Sequence, residues 1–192
     1  MNTSAPEYAD AFRQEILPHL DGAYNLARYV TRDAVLSEDV VQDAVLRAYR
    51  AFDQFRGSSP RAWLFAIVRN CSRTAMSGRR GTVSLVVNES ALSDDAAAEL
   101  GNHADPSSSP EEELARKQDV DRVRSAIEAI PEPFREAVVL RDLEGLSYAE
   151  IAEVTGAAIG TVMSRLSRGR AMLAKELLPA REDEGEQSRS VK

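Results

Sequence analysis

Between Gly81 and Pro110 the chain drops every periodic pattern that could build a helix or a strand. The run NESALSDDAAAELGNHADPSSSPEEE consists of acids, serines and small residues, too poor in apolar surface to fold alone, and it reads as a mobile acidic tether. This stretch constrains the fold more than any other feature, because it divides 192 residues into two small domains. The expected boundaries are 8–80 for the first domain, 81–110 for the tether, 111–178 for the second domain and 179–192 for a disordered tail. One segment of the tether, TVSLVV (82–87), is apolar; it suits a short strand, or a strip that packs on a neighbouring domain.

Outside the tether the pattern is helical, and glycine and proline gather between periodic segments, so an all-α fold is expected. Phe12, Ile16, Leu20, Tyr24 and Ala27 form one stripe of a helix from about Tyr8 to Val30. Ser37 is a candidate N-cap for a second helix, with Glu38 and Asp39 in its first turn and Val41, Val45, Ala48 and Phe52 toward the core. Ser59-Pro60 opens a third, carrying Trp63, Leu64, Ile67, Val68 and Cys71. After the tether, a helix begins with Glu111, Glu112 and Glu113 and continues through Leu114, Val120, Val123 and Ile127. Ile130-Pro131-Glu132-Pro133 breaks it, and the next carries Phe134, Ala137, Val138 and Leu140. Such stripes can bury one another in compact bundles.

Several classes of function are disfavoured. Cys71 stands alone, so no disulfide framework or cysteine metal cluster is expected. His19 and His103 lack ligand spacing, and no cofactor or metal is expected. An enzyme using Cys71 as nucleophile has no matching base in sequence, and no small-molecule substrate is suggested. The start of the chain lacks the pattern of a signal peptide, and no apolar run approaches the roughly 20 residues that cross a bilayer. The expected location is cytoplasmic.

The segment GLSYAEIAEVTGAAIGTVMSRLSRGR (145–170) points to a partner. Ser147 and Glu150 have capping-box spacing, Gly156 sits in a tight turn, and a second helix follows from near Gly160-Thr161 with Val162, Leu166 and Leu173 on one face. This is a helix-turn-helix, whose second helix enters the DNA major groove by its N-terminal end. The formal net charge is −7, yet Arg165, Arg168 and Arg170 cluster with no acid between Ile159 and Lys175. Phosphates are the expected counter-charge. The plainer alternative is a solvated helix whose arginines pair with acids elsewhere in the chain.

A second basic surface lies in the first domain, where Arg56 to Arg80 contains six arginines and no acid. Arg61, Phe65, Arg69 and Arg73 fall four apart, on one helix stripe. Arginines with an aromatic among them suit a single strand, whose bases stack and whose phosphates pair. Trp63 reads as core; Phe65 fits the core and the stacking role equally. On the preceding helix Asp39, Gln42, Leu46 and Arg50 share the side opposite the presumed core, a surface suited to a protein contact.

The stretches SEDVVQDAVLRAYRAFDQFRG (37–57), RAWLFAIVRN (61–70) and LEGLSYAEIAEVTGAAIGTVMSRLSRGR (143–170) resemble bacterial sigma factors of the sigma-70 family. The length and two-part layout are similar to the extracytoplasmic-function (ECF) group, which keeps only the sigma-2 and sigma-4 domains. The resemblance implies a transcription initiation factor, with core RNA polymerase (beta-prime clamp helices and beta flap), promoter DNA and an anti-sigma factor as partners. Asp39, Gln42, Asp43 and Leu46 match the helix that docks on the clamp helices. Phe55, Arg56, Gly57, Ser58 and Ser59 match the loop that receives a flipped base of the minus-ten element, with Ala51 and Asn70 lining the same pocket and Arg69 and Arg73 beside it. Arg141, Thr161, Met163, Ser164, Ser167 and Arg168 match the surface at minus-thirty-five DNA, with Arg165 holding phosphate or structure. Two positions depart from the pattern: Thr74 stands where many relatives carry an acid, and Met163 where some carry arginine. Arginine reads guanine with two hydrogen bonds and methionine cannot, so the minus-thirty-five preference is this chain's own. The rival is a helix-turn-helix regulator with an N-terminal effector domain, which binds duplex as a dimer and needs no polymerase.

Overall fold

The computed structural model describes residues 5–57, 59–82 and 110–178, and every regular element among them is helical. The TVSLVV segment beyond Thr82, the rest of the tether and the tail lie outside the described residues.

The first domain opens with α1 (Ala5–Ile16) and α2 (Leu20–Thr31), where the stripe suggested one helix. Pro18 is the reason. It has no N–H to donate and its ring crowds the carbonyl four residues back, so the chain makes a 3-10 turn at Leu17–His19 and restarts. Phe12 and Ile16 are buried before this break and Ala23, Leu26, Ala27 and Val30 after it, with Leu20 and Tyr24 half-buried.

Helix α3 (Ala34–Ala51) begins before Ser37. Asp33 is the N-cap, accepting from the Leu36 amide at 2.9 Å, while Ser37 is buried and donates to the Asp33 carbonyl at 2.5 Å. Its inner face is Val40, Ala44 and Ala48, with Val41, Val45 and Phe52 only half-buried. The small alanines let α3 lie close against its neighbours. Helix α4 (Pro60–Thr82) starts where expected. The Ser59 hydroxyl accepts from the Ala62 amide at 3.2 Å, and Leu64, Phe65, Val68 and Cys71 are buried.

The second domain comprises α5 (Pro110–Ala129), α6 (Glu132–Val138) running into a π turn at Val139–Leu143, α7 (Tyr148–Thr155) and α8 (Ile159–Leu177). Only the end of α5 joins the core, through Ala126 and Ile127. Leu114 and Val123, expected on a buried stripe, are exposed. Arg135 is buried and donates to the carbonyls of Glu128 (3.1 Å) and Ile130 (2.9 Å), closing that end.

The helix-turn-helix follows its sequence signals. Ser147 and Glu150 form the complete capping box, and Gly156 takes the left-handed conformation at φ 65°. Ser147→Ala should lower the stability of this domain by about 1 kcal/mol, read as a drop in Tm of roughly 4–8 °C. An unchanged Tm would mean that the cap is not holding α7.

The two domains are not held apart. Leu140, Leu146, Ile151 and Val154 of the second join Leu64, Phe65 and Val68 of the first in one connected set of buried side chains. The basic stripe of α4 lies along this seam.

Candidate nucleic-acid interface

The residues expected at a flipped base sit at the junction of α3 and α4. Ala51 ends α3 and is half-buried. A 3-10 turn at Phe52–Gln54 leads into the loop, where the Phe55 ring tilts against Trp63 with centroids 5.0 Å apart. A Cβ on Gly57 would stand 2.7 Å from the Phe55 ring, so glycine is what allows the loop to fold over it. Arg56 is exposed but turned back on its own loop, donating to the carbonyls of Asp53 (2.5 Å) and Phe55 (2.9 Å). Ser58 lies outside the described residues. Asn70 is exposed, one turn and a half down α4 from Phe65.

The arginine stripe is placed differently from expectation. Arg61, Arg69 and Arg73 share one face of α4, as the spacing predicts, but that face meets carboxylates of the second domain, with Arg61 and Arg73 still partly open to water. Arg61 Nη2 is 2.9 Å from Glu144 Oε2, Arg73 Nη2 is 3.0 Å from Glu132 Oε1, and Arg69 Nε contacts Glu136 Oε1. The Arg69–Glu136 pair is buried, with side chains 9% and 2% exposed. Glu144 also accepts from Asn25 Nδ2 at 3.3 Å, and Ser59 Oγ is 2.7 Å from Glu150 Oε1. The Ser147 backbone amide and then the Ser59 hydroxyl hold the Glu150 carboxyl below the usual glutamate range. Phe65 is fully buried, with the Arg61 guanidinium over its ring at 5.4 Å, which resolves its two readings toward the core.

At α8 the outcome is mixed in an informative way. Arg170 bonds Asp142 with two nitrogens, the plainer alternative for this cluster, and that pairing raises its pKa. Arg168 is exposed with no partner among the described residues, and Thr161, Met163, Ser164 and Ser167 are exposed beside it. Ser164 donates back to the Thr161 carbonyl at 2.9 Å. Arg165 is half-buried. Arg141 braces the turn before α7: it donates to the Leu146 carbonyl at 2.7 Å and stacks on Tyr148 at 5.0 Å.

The α3 face opposite the core is exposed, as its periodicity predicts. Asp39 and Gln42 are exposed and Leu46 is 56% exposed, an unusual solvent share for a leucine, while Asp43 pairs with Arg47 at 3.0 Å. Sequence reasoning missed the partners of the stripe, Glu132, Glu136 and Glu144. Their spacing was visible, but nothing in it said which face they would meet.

Helices throughout the described residues, an arginine on the second helix of the helix-turn-helix without a partner among them, and a bundle with a second basic helix fit a two-domain nucleic-acid-binding protein. Comparison with known proteins gives the class its family. Residues 16–82 match sigma-70 region 2 and residues 121–173 match sigma-70 region 4. The ECF RNA polymerase sigma-E factor of Haemophilus influenzae is 37% identical over 158 residues, covering 80% of each chain. Among solved structures, the sigma factor RpoE of Bartonella quintana, in complex with the anti-sigma factor NepR, superposes with TM-score 0.65 at 30% identity, covering 87% of this chain and 96% of that one. CnrH, in complex with the cytosolic domain of CnrY, gives TM-score 0.58 at 27% identity over 87% of both chains. The chain belongs to the ECF group of the sigma-70 family.

Proposed function

We propose that this ECF sigma factor carries core RNA polymerase to promoters through three surfaces. Asp39, Gln42, Asp43 and Leu46 on α3 dock on the beta-prime clamp helices, and the second domain meets the beta flap. The 55–59 loop, with Ala51 and Asn70, takes an extruded base of the minus-ten element, and Arg73 flanks the exposed strand, while Arg69 stays in its buried pair with Glu136. Thr161, Met163, Ser164, Ser167 and Arg168 meet minus-thirty-five duplex, with Arg141 bracing the turn behind them and Arg165 at its inner edge.

The observation that supports this reading best is at α8. Exposed Thr161, Ser164 and Ser167 and an arginine without a partner among the described residues, Arg168, line the first three turns of the second helix, where a backbone phosphate and base edges would be met at once. The energetic task is to open a duplex without nucleotide hydrolysis. Binding one extruded base offsets an unstacking cost of a few kcal/mol. The upstream contact holds the complex in place meanwhile.

The protein is an initiation factor rather than an enzyme on this reading. Cys71 is buried, and burial, opposed by Arg47 and reinforced by Asp43, pushes its thiol up and away from the nucleophilic thiolate. Control by an anti-sigma factor is supported by the two solved relatives, both of them in complexes, the first with a named anti-sigma factor. No helix among the described residues is long and apolar enough to cross a membrane.

Run-off transcription with purified core polymerase tests the reading. The protein should redirect the enzyme to new start sites; failure to associate with core would overturn it. Asn70→Ala should retain core binding while permanganate reactivity at the minus-ten element falls. Normal melting by that variant would remove Asn70 from the pocket.

A further inference from the structure

The exposed side of α8 has two flanks that differ in kind. Opposite the buried Val162, Leu166 and Gly169, its outermost ridge is Gly160, Ser164, Ser167 and Ala171, all exposed and none longer than a serine. A ridge this low lets the helix come close to the floor of a groove, so the longer side chains on either flank reach base edges sideways. One flank carries Thr161, Arg168 and Lys175, at intervals of seven residues, all exposed and two of them cationic. The other carries Ile159, Met163 and Arg170, and the charge of Arg170 is met by Asp142. Ile159 is 48% exposed and Met163 is 50% exposed, an apolar pair four residues apart in the first turns of the helix and turned away from the core.

We propose that Met163, its apolar area widened by Ile159, reads a thymine of the minus-thirty-five element through the C5 methyl group. This rests on the placement of that element at α8 under the proposed function. On the floor of the major groove the thymine methyl is the one apolar group that a base pair displays. The remaining edges are amino donors, carbonyl oxygens and ring nitrogens. A thioether laid on the methyl takes apolar surface of both partners out of water. Over cytosine or adenine the same thioether would cover an amino group that it bonds poorly, since its sulfur is a weak acceptor. Over guanine it has no proton to give. Thymine is therefore chosen by gain at the methyl and by unmet hydrogen bonds at every other base. Methionine is unbranched and adaptable, which suits a contact made from the flank of a low ridge. The cationic flank meanwhile faces phosphates, so one side of the helix head positions and the other reads.

The test uses holoenzyme and a promoter located by run-off transcription. Each thymine on either strand of its minus-thirty-five element is replaced in turn by deoxyuridine, which removes the methyl and keeps every hydrogen bond. At one position the parent should bind the uracil duplex about fourfold more weakly, the worth of one methyl taken from water. Met163→Ala should bind the thymine and uracil forms of that position equally, and Met163→Leu should keep most of the preference. Met172→Ala removes an exposed methionine from the opposite side of the same helix and should behave as the parent. Because Met163 and Met172 both lie outside the core, the three variants should match the parent in Tm, and the comparison is then one of binding alone. If no thymine shows a methyl preference, or if Met163→Ala keeps that preference in full, the proposal is overturned. Scrambling the whole element separates this failure from a deeper one. Weaker binding to the scrambled duplex leaves α8 on minus-thirty-five DNA without the methyl contact, whereas unchanged binding removes the element from α8 altogether.

Discussion

Replacing Gly169 with alanine should destabilise the second domain by about 1–3 kcal/mol, although the same change in an exposed helix interior gains roughly 0.8–1 kcal/mol. The sign reverses because of what the new methyl would meet. A Cβ at Gly169 would lie 2.7 Å from Val138 Cγ2 and 2.9 Å from the Phe134 carbonyl oxygen. Val138 is 1% exposed and β-branched in a helix, so it has essentially one rotamer and no room to leave it. The carbonyl is backbone and cannot turn aside. Helix α8 must therefore lift from α6, and Val162 and Leu166 lose contact with the core beneath them. Gly160→Ala is the control: nothing lies within 4 Å of its added Cβ, so that variant should be neutral or slightly stabilised. Thermal unfolding of both variants decides the matter, and equal Tm values would show that α6 and α8 do not approach closely at Gly169. On the proposal that α8 carries the minus-thirty-five surface, the Gly169 variant should also bind upstream DNA less tightly at temperatures where it is still folded.

This glycine shows where sequence reading stops. Ser147, Glu150 and Gly156 were legible because each acts within one turn of backbone, and local chemistry dictates the partner. Ser59-Pro60 was legible for the same reason. Gly169 carries no local signal, since its need for a missing side chain arises from α6, some thirty residues away in the chain. The same applies to the inner face of α3. Ala48 stands where its stripe put it, but the burial of Val40 and Ala44 ahead of Val41 and Val45 follows from the approach of α2 and α4, and only the assembled bundle supplies that. Pro18 is a different kind of miss, a local breaker overlooked because the apolar stripe ran through it. The candidate site divides along the same line. The exposed face of α3 and the apolar face of α8, with Val162 and Leu166 buried, stand where periodicity put them. The arginine stripe was placed on the right face of α4, but its exposure could not be read, because an acid four residues from another acid looks the same whether it faces water or a guanidinium.

That distinction between a free arginine and an occupied one leads to the second large effect. Arg168→Ala should weaken binding of holoenzyme to promoter DNA and make the slope of log K against log salt shallower by about 0.9, the share of one phosphate. Arg168 is exposed without a partner among the described residues, so its whole charge is available to displace a counterion. Arg170 sits two residues away on the same helix, but it is committed to Asp142 through Nε at 3.0 Å and through Nη2. A pair that is already neutral displaces little. The double variant Asp142→Asn with Arg170→Gln, which leaves net charge unchanged, should therefore keep the slope of the parent protein. If Arg168 instead reads a guanine edge, the loss will concentrate on promoters with guanine at one position, worth about 1–3 kcal/mol there and little elsewhere. Titrating matched and singly substituted promoters over a range of salt separates the two roles. A slope and an affinity that both stay at the parent values would show that Arg168 does not touch DNA, and the minus-thirty-five surface would have to be sought on another face of α8.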